Sequence, residues 1–157
     1  MKAKTVESAC IFCRAAQNPV DDRRTLVVHR GEHCFVILNR YPYTSGHLMI
    51  VPYNHVSKLT SVSAAGASEM MELARRAEQV LEAVYHPEGL NMGMNFGSAA
   101  GAGIAQHIHL HMLPRWSGDA NFMTTVANTR IIPEALDDTY EKLSRAFAER
   151  TAGAGSK

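Results

Sequence analysis

The sequence predicts an α+β fold in which helices pack on an antiparallel β-sheet of about five strands. Three observations support this prediction: short β-rich segments separated by turn residues, a long central segment with helical periodicity, and a second helical segment near the C-terminal end. The 157 residues are 46% hydrophobic, which is enough for one core. Because no linker divides the chain, we predict a single domain over residues 1–157, with its core at about 8–125.

The first three strands are predicted from β-rich segments in the N-terminal third of the chain. Residues 25–30 and 33–40 are separated by a two-residue turn, which predicts a hairpin. A turn at 41–46, which contains proline and glycine, leads to a third strand at 47–52. These strands are apolar at most positions, so we expect a helix to cover one face of the sheet.

The rest of the chain is predicted to contain two helices and two strands. From Ser63 to about Tyr85, apolar residues recur at three- and four-residue spacing, which predicts the central helix. The other elements follow in order: a strand at 89–96, a small-residue loop at 97–103, a strand at 106–114, a C-terminal helix at about 133–150 and a disordered tail at 151–157.

Composition limits the partners and the compartment. The net charge of +1 gives no global basic field, so any phosphate binding has to come from a local site, and we predict no nucleic-acid partner. No segment approaches the roughly 20 apolar residues that span a bilayer, so we predict no membrane association. The first residues lack an apolar run, and the three cysteines are an odd number. A cytoplasmic location with reduced thiols is therefore expected.

The most informative feature is a row of three histidines. His107, His109 and His111 alternate with apolar residues, so in a strand their rings share one face at roughly 6.5–7 Å spacing. Three adjacent imidazoles cannot all be charged cheaply, which favours a functional role as nucleophile or base. Two alternatives are a sheet face with purely structural histidines and a metal site built from all three.

A glycine-rich loop precedes the histidines. Residues 97–103 place little side-chain bulk beside them, and glycines let the backbone approach a ligand closely. Backbone N–H groups of such a loop can donate to phosphate oxygens. Together, the loop and the histidines predict a phosphate site.

Residues 107–115, HIHLHMLPR, resemble the signature of the histidine triad family of nucleotidyl hydrolases and transferases. The resemblance extends to residues 39–52, which lead into the third strand, and to the loop at 91–103, and it covers about residues 8–125. Residues 114–123 and 101–104 resemble the bacterial diadenosine tetraphosphate phosphorylase branch of that family.

This resemblance implies a covalent nucleotidyl-histidine intermediate on His109 and a homodimer whose sheet continues across the interface. It implies that His111 contacts the phosphate and that His107 completes the triad. The resemblance also implies the contacts with the substrate. Asn39 would hold the ribose, Asn95 would position the phosphate or the nucleophile, and the backbone of Ala102 and Gly103 would donate to the phosphate. Trp116 would line the phosphate end of the site, and Phe35 would pack against the base, for which a plain core role is an equal alternative.

One departure from the family pattern bears on the reaction. Many members carry Gln and then Ser or Thr where this chain has Gly103 and Ile104, so the hydroxyl that would serve a leaving group is missing. This fits a phosphate leaving group better. We therefore predict cleavage of dinucleoside polyphosphates, with inorganic phosphate as acceptor and ADP and ATP as products. The alternatives are a hydrolase of nucleoside monophosphate derivatives and a silent nucleotide-binding module.

A C-x2-C pair, Cys10 and Cys13, lies near the N-terminus. Such a pair can bind zinc, but two ligands are insufficient. Zinc-binding members of the family resemble this chain in the order of their ligands, which implies a structural zinc held by Cys10, Cys13, His55 and His107. The alternatives are two reduced thiols without a metal and a redox pair.

Overall fold

The computed structural model describes residues 10–120 and 134–153. It contains one antiparallel sheet of five strands in the order β1-β2-β3-β5-β4. The strands are β1 Val27–Arg30, β2 Cys34–Leu38, β3 Leu48–Pro52, β4 Gly89–Gly93 and β5 Leu110–Arg115. The helices are α1 Ile11–Gln17, α2 Asp22–Thr25, α3 Ala64–Tyr85 and α4 Leu136–Gly153. The predicted α+β class, the central helix and the C-terminal helix are confirmed.

The two faces of the sheet have different roles. Ile50 of β3 pairs with Leu110 of β5, and both are buried on the face that α3 covers. Met49 pairs with His111, and because side chains alternate along a strand, these two lie on the opposite face. The sheet thus separates α3 from the histidines.

The central helix begins and ends as its sequence predicts. The Ser63 hydroxyl accepts the N–H of Gly66 at 3.0 Å and caps its first turn. The helix ends at His86, whose left-handed backbone closes the last turn by an N–H bond to the Glu82 carbonyl. Its apolar stripe is buried, namely Met70, Leu73, Ala74, Ala77, Val80 and Leu81.

A single carboxylate on α3 holds the β1–β2 turn. The two oxygens of Glu69 accept the backbone N–H groups of Glu32, His33 and Cys34 at 2.6–2.7 Å. Burial alone would raise the pKa of Glu69, but these donors favour the charged form, and the net pKa is lowered. The turn is therefore tied to the helix by charge-assisted hydrogen bonds.

Several predicted boundaries are wrong, among them those of β4, β5 and the C-terminal tail. β4 ends at Gly93 rather than 96, and β5 begins at Leu110 rather than 106. The residues before Leu110 leave the sheet because the Ile108 N–H donates to the Val56 carbonyl at 2.8 Å instead of to a strand. The tail predicted as disordered from 151 is helical to Gly153, and its remainder, 154–157, lies outside the described residues, as do parts of the predicted core at 8–9 and 121–125.

In the part of the chain that the structure describes, no helix is both long and apolar enough to cross a membrane. The strand β4 lies at the edge of the sheet, and four of its five residues are exposed.

Candidate active site and metal centre

Two hydrogen bonds fix the chain at the start of the histidine row. The Ile108 N–H bond to Val56 holds the backbone, and Nε2 of His107 lies 2.8 Å from the Pro52 carbonyl. A carbonyl only accepts, so Nε2 carries the proton and Nδ1 of His107 carries the lone pair. The ring is fully buried. His107 and His109 therefore precede β5, and only His111 belongs to the strand, which corrects the prediction that all three lie on it.

The ring of His109 has a defined tautomer. Its Nδ1 lies 2.9 Å from the His107 carbonyl, so Nδ1 donates and Nε2 is left with a lone pair. Burial lowers the pKa of His109, although the bond to the carbonyl opposes this shift, so the neutral ring is favoured. Phe12, which is fully buried and lies between Cys10 and Cys13 in the sequence, packs against this ring at 5.1 Å between centroids. His109 thus has a neutral ring with a lone pair on Nε2.

His111 is oriented by a residue whose role the sequence did not reveal. The Tyr43 N–H donates to Nδ1 of His47 at 3.2 Å, so the proton of His47 is on Nε2. That Nε2 lies 2.9 Å from Nδ1 of His111, which must accept, so His111 carries its own proton on Nε2. The sequence analysis assigned His47 no role at the site. Its only signal was its place directly before β3, the strand that pairs with β5.

The electrostatics keep this pair neutral. Burial, followed by repulsion from His111 and His109, lowers the pKa of His47 to about 3. Burial and the neighbouring His109 lower the pKa of His111 to about 4. The rings of His109 and His111 are 4.7 Å apart between centroids. A lone pair on one ring and an N–H on the next therefore lie side by side, as attack on a phosphate and stabilisation of its charge require.

The predicted substrate contacts are only partly brought together. The Asn39 N–H donates to the His47 carbonyl at 3.0 Å, so Asn39 lies next to the His47–His111 pair. A Cβ on Gly101 would lie 3.9 Å from the Asn95 amide nitrogen, so Asn95 faces the glycine loop. Gly103 is exposed. The Ala102 N–H donates to the Gly97 carbonyl at 3.3 Å, so a bond to phosphate would have to replace this one, and that contact stays a prediction.

Two predicted contacts are not at the site of this chain. Phe35 lies on the histidine face but has no exposed surface, and its ring packs on Tyr53, so it is a core residue. Trp116 follows β5 at its far end, where it packs edge-on against Tyr85. It lies five positions beyond His111 along extended backbone, or about 16 Å. Within one chain, Trp116 therefore lies away from the histidines, and its contact with the phosphate end stays a prediction.

A Cys/His cluster, formed by Cys10, Cys13, His55 and His107, lies behind the triad. Its ligand atoms are all within 4.8 Å of one another. Nδ1 of His107 is 3.5 Å from Cys10 Sγ and 3.7 Å from Cys13 Sγ, and Nδ1 of His55 is 3.1 Å from Cys13 Sγ. In a tetrahedral zinc site with usual bond lengths, sulfur and nitrogen ligands are about 3.5 Å apart. The four residues therefore fit zinc.

The surroundings of the cluster also fit a closed metal site. Cys10, Cys13 and His107 are buried, and the cysteines form no disulfide. The His107–Pro52 bond directs the Nδ1 lone pair into the cluster, which is the usual orientation of a metal-bound histidine. Of the triad, only His107 belongs to this group, so the described residues do not support a metal site built from all three triad histidines.

Comparison with known proteins places this geometry in a family. Residues 21–118 match the HIT domain. An "AP-4-A phosphorylase" of Mycobacterium tuberculosis is 41% identical over 131 residues, which are 83% of this chain and 67% of that protein. A "Bis(5'-nucleosyl)-tetraphosphatase [asymmetrical]" of Schizosaccharomyces pombe is 27% identical over 93 residues, 59% of this chain and 50% of that one.

A solved structure is similar over nearly the whole chain. The crystal structure of a Zn-bound histidine triad family protein from Mycobacterium smegmatis superposes with a TM-score of 0.74 at 26% identity, over 94% of this chain and 99% of that one. The domain match, the 41% identical relative and the shared fold agree with the histidine row. The chain belongs to the HIT family.

Proposed function

We propose that the protein is a nucleotidyl transferase that cleaves dinucleoside polyphosphates through a covalent nucleotidyl-His109 intermediate. The observation that carries this proposal is the pair of defined tautomers, with a lone pair on His109 Nε2 beside an N–H on His111 Nε2. Both relatives named above are described as acting on such compounds.

In the first step, Nε2 of His109 attacks the α-phosphorus of one nucleotide. The N–P bond forms, the bond from phosphorus to the bridging oxygen breaks, and the polyphosphate leaves with the second nucleoside. The ring then carries a positive charge, because Nδ1 keeps its proton. The His107 carbonyl, which accepts that proton at 2.9 Å, stabilises the charge. The Nε2–H of His111 donates to the phosphate oxygens, and in-line attack needs no further base.

In the second step, an acceptor oxygen attacks the same phosphorus and the N–P bond breaks, which restores neutral His109. We propose inorganic phosphate as the acceptor, which gives ADP from the bound nucleotide and ATP as the group that left. The relative named as a phosphorylase supports this acceptor. Ile104 bears on the first step instead, because it offers no hydroxyl to protonate a leaving group that is more basic than a polyphosphate. Arg115 donates to Asp119 and Asn91.

The test is chromatography of the products of diadenosine tetraphosphate with and without inorganic phosphate. We expect ADP and ATP, and a rate that rises with phosphate. AMP and ATP at a rate independent of phosphate would show a hydrolase with the same nucleophile. No turnover under either condition would refute the proposed activity and leave a nucleotide-binding module.

The Cys/His cluster is proposed as a structural zinc site. Zinc would supply cross-linking rather than catalysis there, since all four tetrahedral positions are taken by protein ligands. Two groups in or next to the Cys/His cluster contact the His109 ring: the carbonyl of His107 and the ring of Phe12. The cytoplasmic location expected from the thiols stays a prediction.

We propose a homodimer formed by the edge strand β4. Gly89 pairs with Arg115, and Gly93 pairs with His111. If two β4 strands pair antiparallel, the Gly89 end of one chain lies beside the Gly93 end of the other. Trp116 of each chain then points towards the His111 end of the other chain, which is the arrangement in which Trp116 contributes to a site. Light scattering tests the dimer, and a Met92→Arg substitution on the exposed edge should disrupt it.

A further inference from the structure

A half-exposed tyrosine stands next to the His47–His111 pair. The Tyr43 ring is 49% exposed, yet its centroid is only 4.8 Å from that of His47 and 6.3 Å from that of His111. It is nearly parallel to the His111 ring, at 26°. The neighbouring Tyr41 is 80% exposed. Tyr43 thus presents an aromatic surface to solvent at the margin of the site.

The backbone that carries this ring is held in place by hydrogen bonds. The Tyr43 N–H donates to His47 Nδ1 at 3.2 Å, and the His47 N–H donates back to the Thr44 carbonyl at 3.3 Å. These two bonds close the turn between β2 and β3. A ring anchored in this way loses little conformational entropy when a ligand covers it.

The contacts between the rings indicate which part of the substrate Tyr43 can reach. The His111 ring contacts both neighbours: its centroid lies 4.7 Å from that of His109 and 6.3 Å from that of Tyr43. In the proposed mechanism, the Nε2–H of His111 is the donor for the departing polyphosphate. A leaving group that is bound at His111 therefore has the exposed surface of Tyr43 within reach.

We propose that Tyr43 stacks on the base of the leaving nucleotide, and that this contact selects dinucleoside polyphosphates over nucleoside polyphosphates that lack a second base. This inference rests on the proposed function, because it assigns the second nucleoside of that substrate. Bases stack on aromatic faces without a requirement for base identity, so the contact recognises the presence of a second base rather than its sequence.

The test compares two compounds that share a nucleotide and a polyphosphate. Diadenosine tetraphosphate has a second nucleoside, and adenosine 5′-tetraphosphate does not. We expect Tyr43→Ala to lower kcat/KM for the first by about 5- to 150-fold, the equivalent of one stacked base. The inhibition constant, Ki, of adenosine 5′-tetraphosphate as a competitive inhibitor should change by less than about twofold. Tyr43→Phe and Tyr43→Trp keep the stacking face and should retain kcat/KM.

Tyr41→Ala is the matched control, since that side chain is more exposed and is two residues away; it should leave both constants unchanged. Equal losses for both compounds in Tyr43→Ala would show that the ring acts only by supporting His47, and would overturn the inference. An unchanged kcat/KM for the dinucleotide would overturn it as well. If the unsubstituted protein turns over no dinucleotide, the proposed function fails first, and this inference fails with it.

Discussion

Replacing His47 by leucine is expected to slow turnover about tenfold without changing the nucleophile. In the structure, the Nε2–H of His47 donates to Nδ1 of His111 and thereby keeps the proton of His111 on Nε2, the nitrogen that donates to phosphate in the proposed mechanism. Leucine fills similar space but donates nothing. Glutamine is the matched variant, because its amide can accept the Tyr43 N–H and still donate to His111.

Two limits bound the magnitude. If the two tautomers of His111 become equally populated, half of the molecules keep the Nε2–H and the rate falls about twofold. If the proton moves entirely to Nδ1, the hydrogen bond to the charged phosphate is lost. Such a bond contributes about 1.5–3 kcal/mol, which corresponds to a rate change of about 10- to 150-fold. The expected tenfold loss for His47→Leu lies between these limits, and His47→Gln should stay within about threefold.

The assay is kcat for diadenosine tetraphosphate, combined with nitrogen-15 NMR of the imidazoles. The spectrum of the unsubstituted protein and of His47→Gln should show a protonated Nε2 and an unprotonated Nδ1 on His111. A folded His47→Leu protein with unchanged kcat would refute the reasoning. So would an equal loss of kcat in the leucine and glutamine variants, because the donor would then not matter.

Three further predictions test other parts of the molecule. His109→Ala should abolish both turnover and the trapping of labelled nucleotide on the protein while leaving the fold intact, and retention of more than a few per cent of activity would show that another residue attacks. Elemental analysis should find about one zinc per chain, lost in Cys13→Ala with a lower Tm but retained in the control Cys34→Ala; absence of zinc from the unsubstituted protein would rule out the site. Glu69→Gln should lower the free energy of unfolding by about 1–3 kcal/mol at pH 7, whereas Glu72→Gln on the exposed side of the same helix should not. Because the pKa of Glu69 is lowered on folding, its contribution is present above its ordinary value of 4.5 and is lost as pH falls through the lower folded value, so denaturation curves of the protein and of Glu69→Gln should converge in acid.

Periodicity was sufficient to predict the elements of the fold but not all of their ends. The alternation of residues 106–114 is the same whether the backbone pairs with a strand or with a loop. The bond from Ile108 to Val56 decides where β5 begins, and no local pattern reveals a partner 52 residues away. The Cys/His cluster was predictable as a residue set from the C-x2-C spacing and the family resemblance. Its geometry required the fold.

The site was predicted least well where contacts depend on distance along a strand or on burial. Trp116 is close to His111 in sequence, but five positions along extended backbone place their Cα atoms about 16 Å apart. Phe35 was given two equal alternatives, a base contact and a core role, and its full burial, which decides for the core role, depends on residues from elsewhere in the chain. His47 was missed because its partner is 64 residues away.

The acceptor of the His109 proton is a main-chain carbonyl, and this has a consequence for how the protein can change during evolution. Every amino acid at position 107 carries the same carbonyl, so substitution of the side chain there cannot remove the group that sets the tautomer of His109. Only a shift of the backbone can, and the Ile108–Val56 bond opposes such a shift. Residue 107 therefore acts through two different atoms: its ring belongs to the Cys/His cluster, and its carbonyl sets the tautomer of His109. Substitutions of the His107 ring and of the two cysteines during evolution would remove the proposed metal ligands and still leave the lone pair on Nε2 of His109.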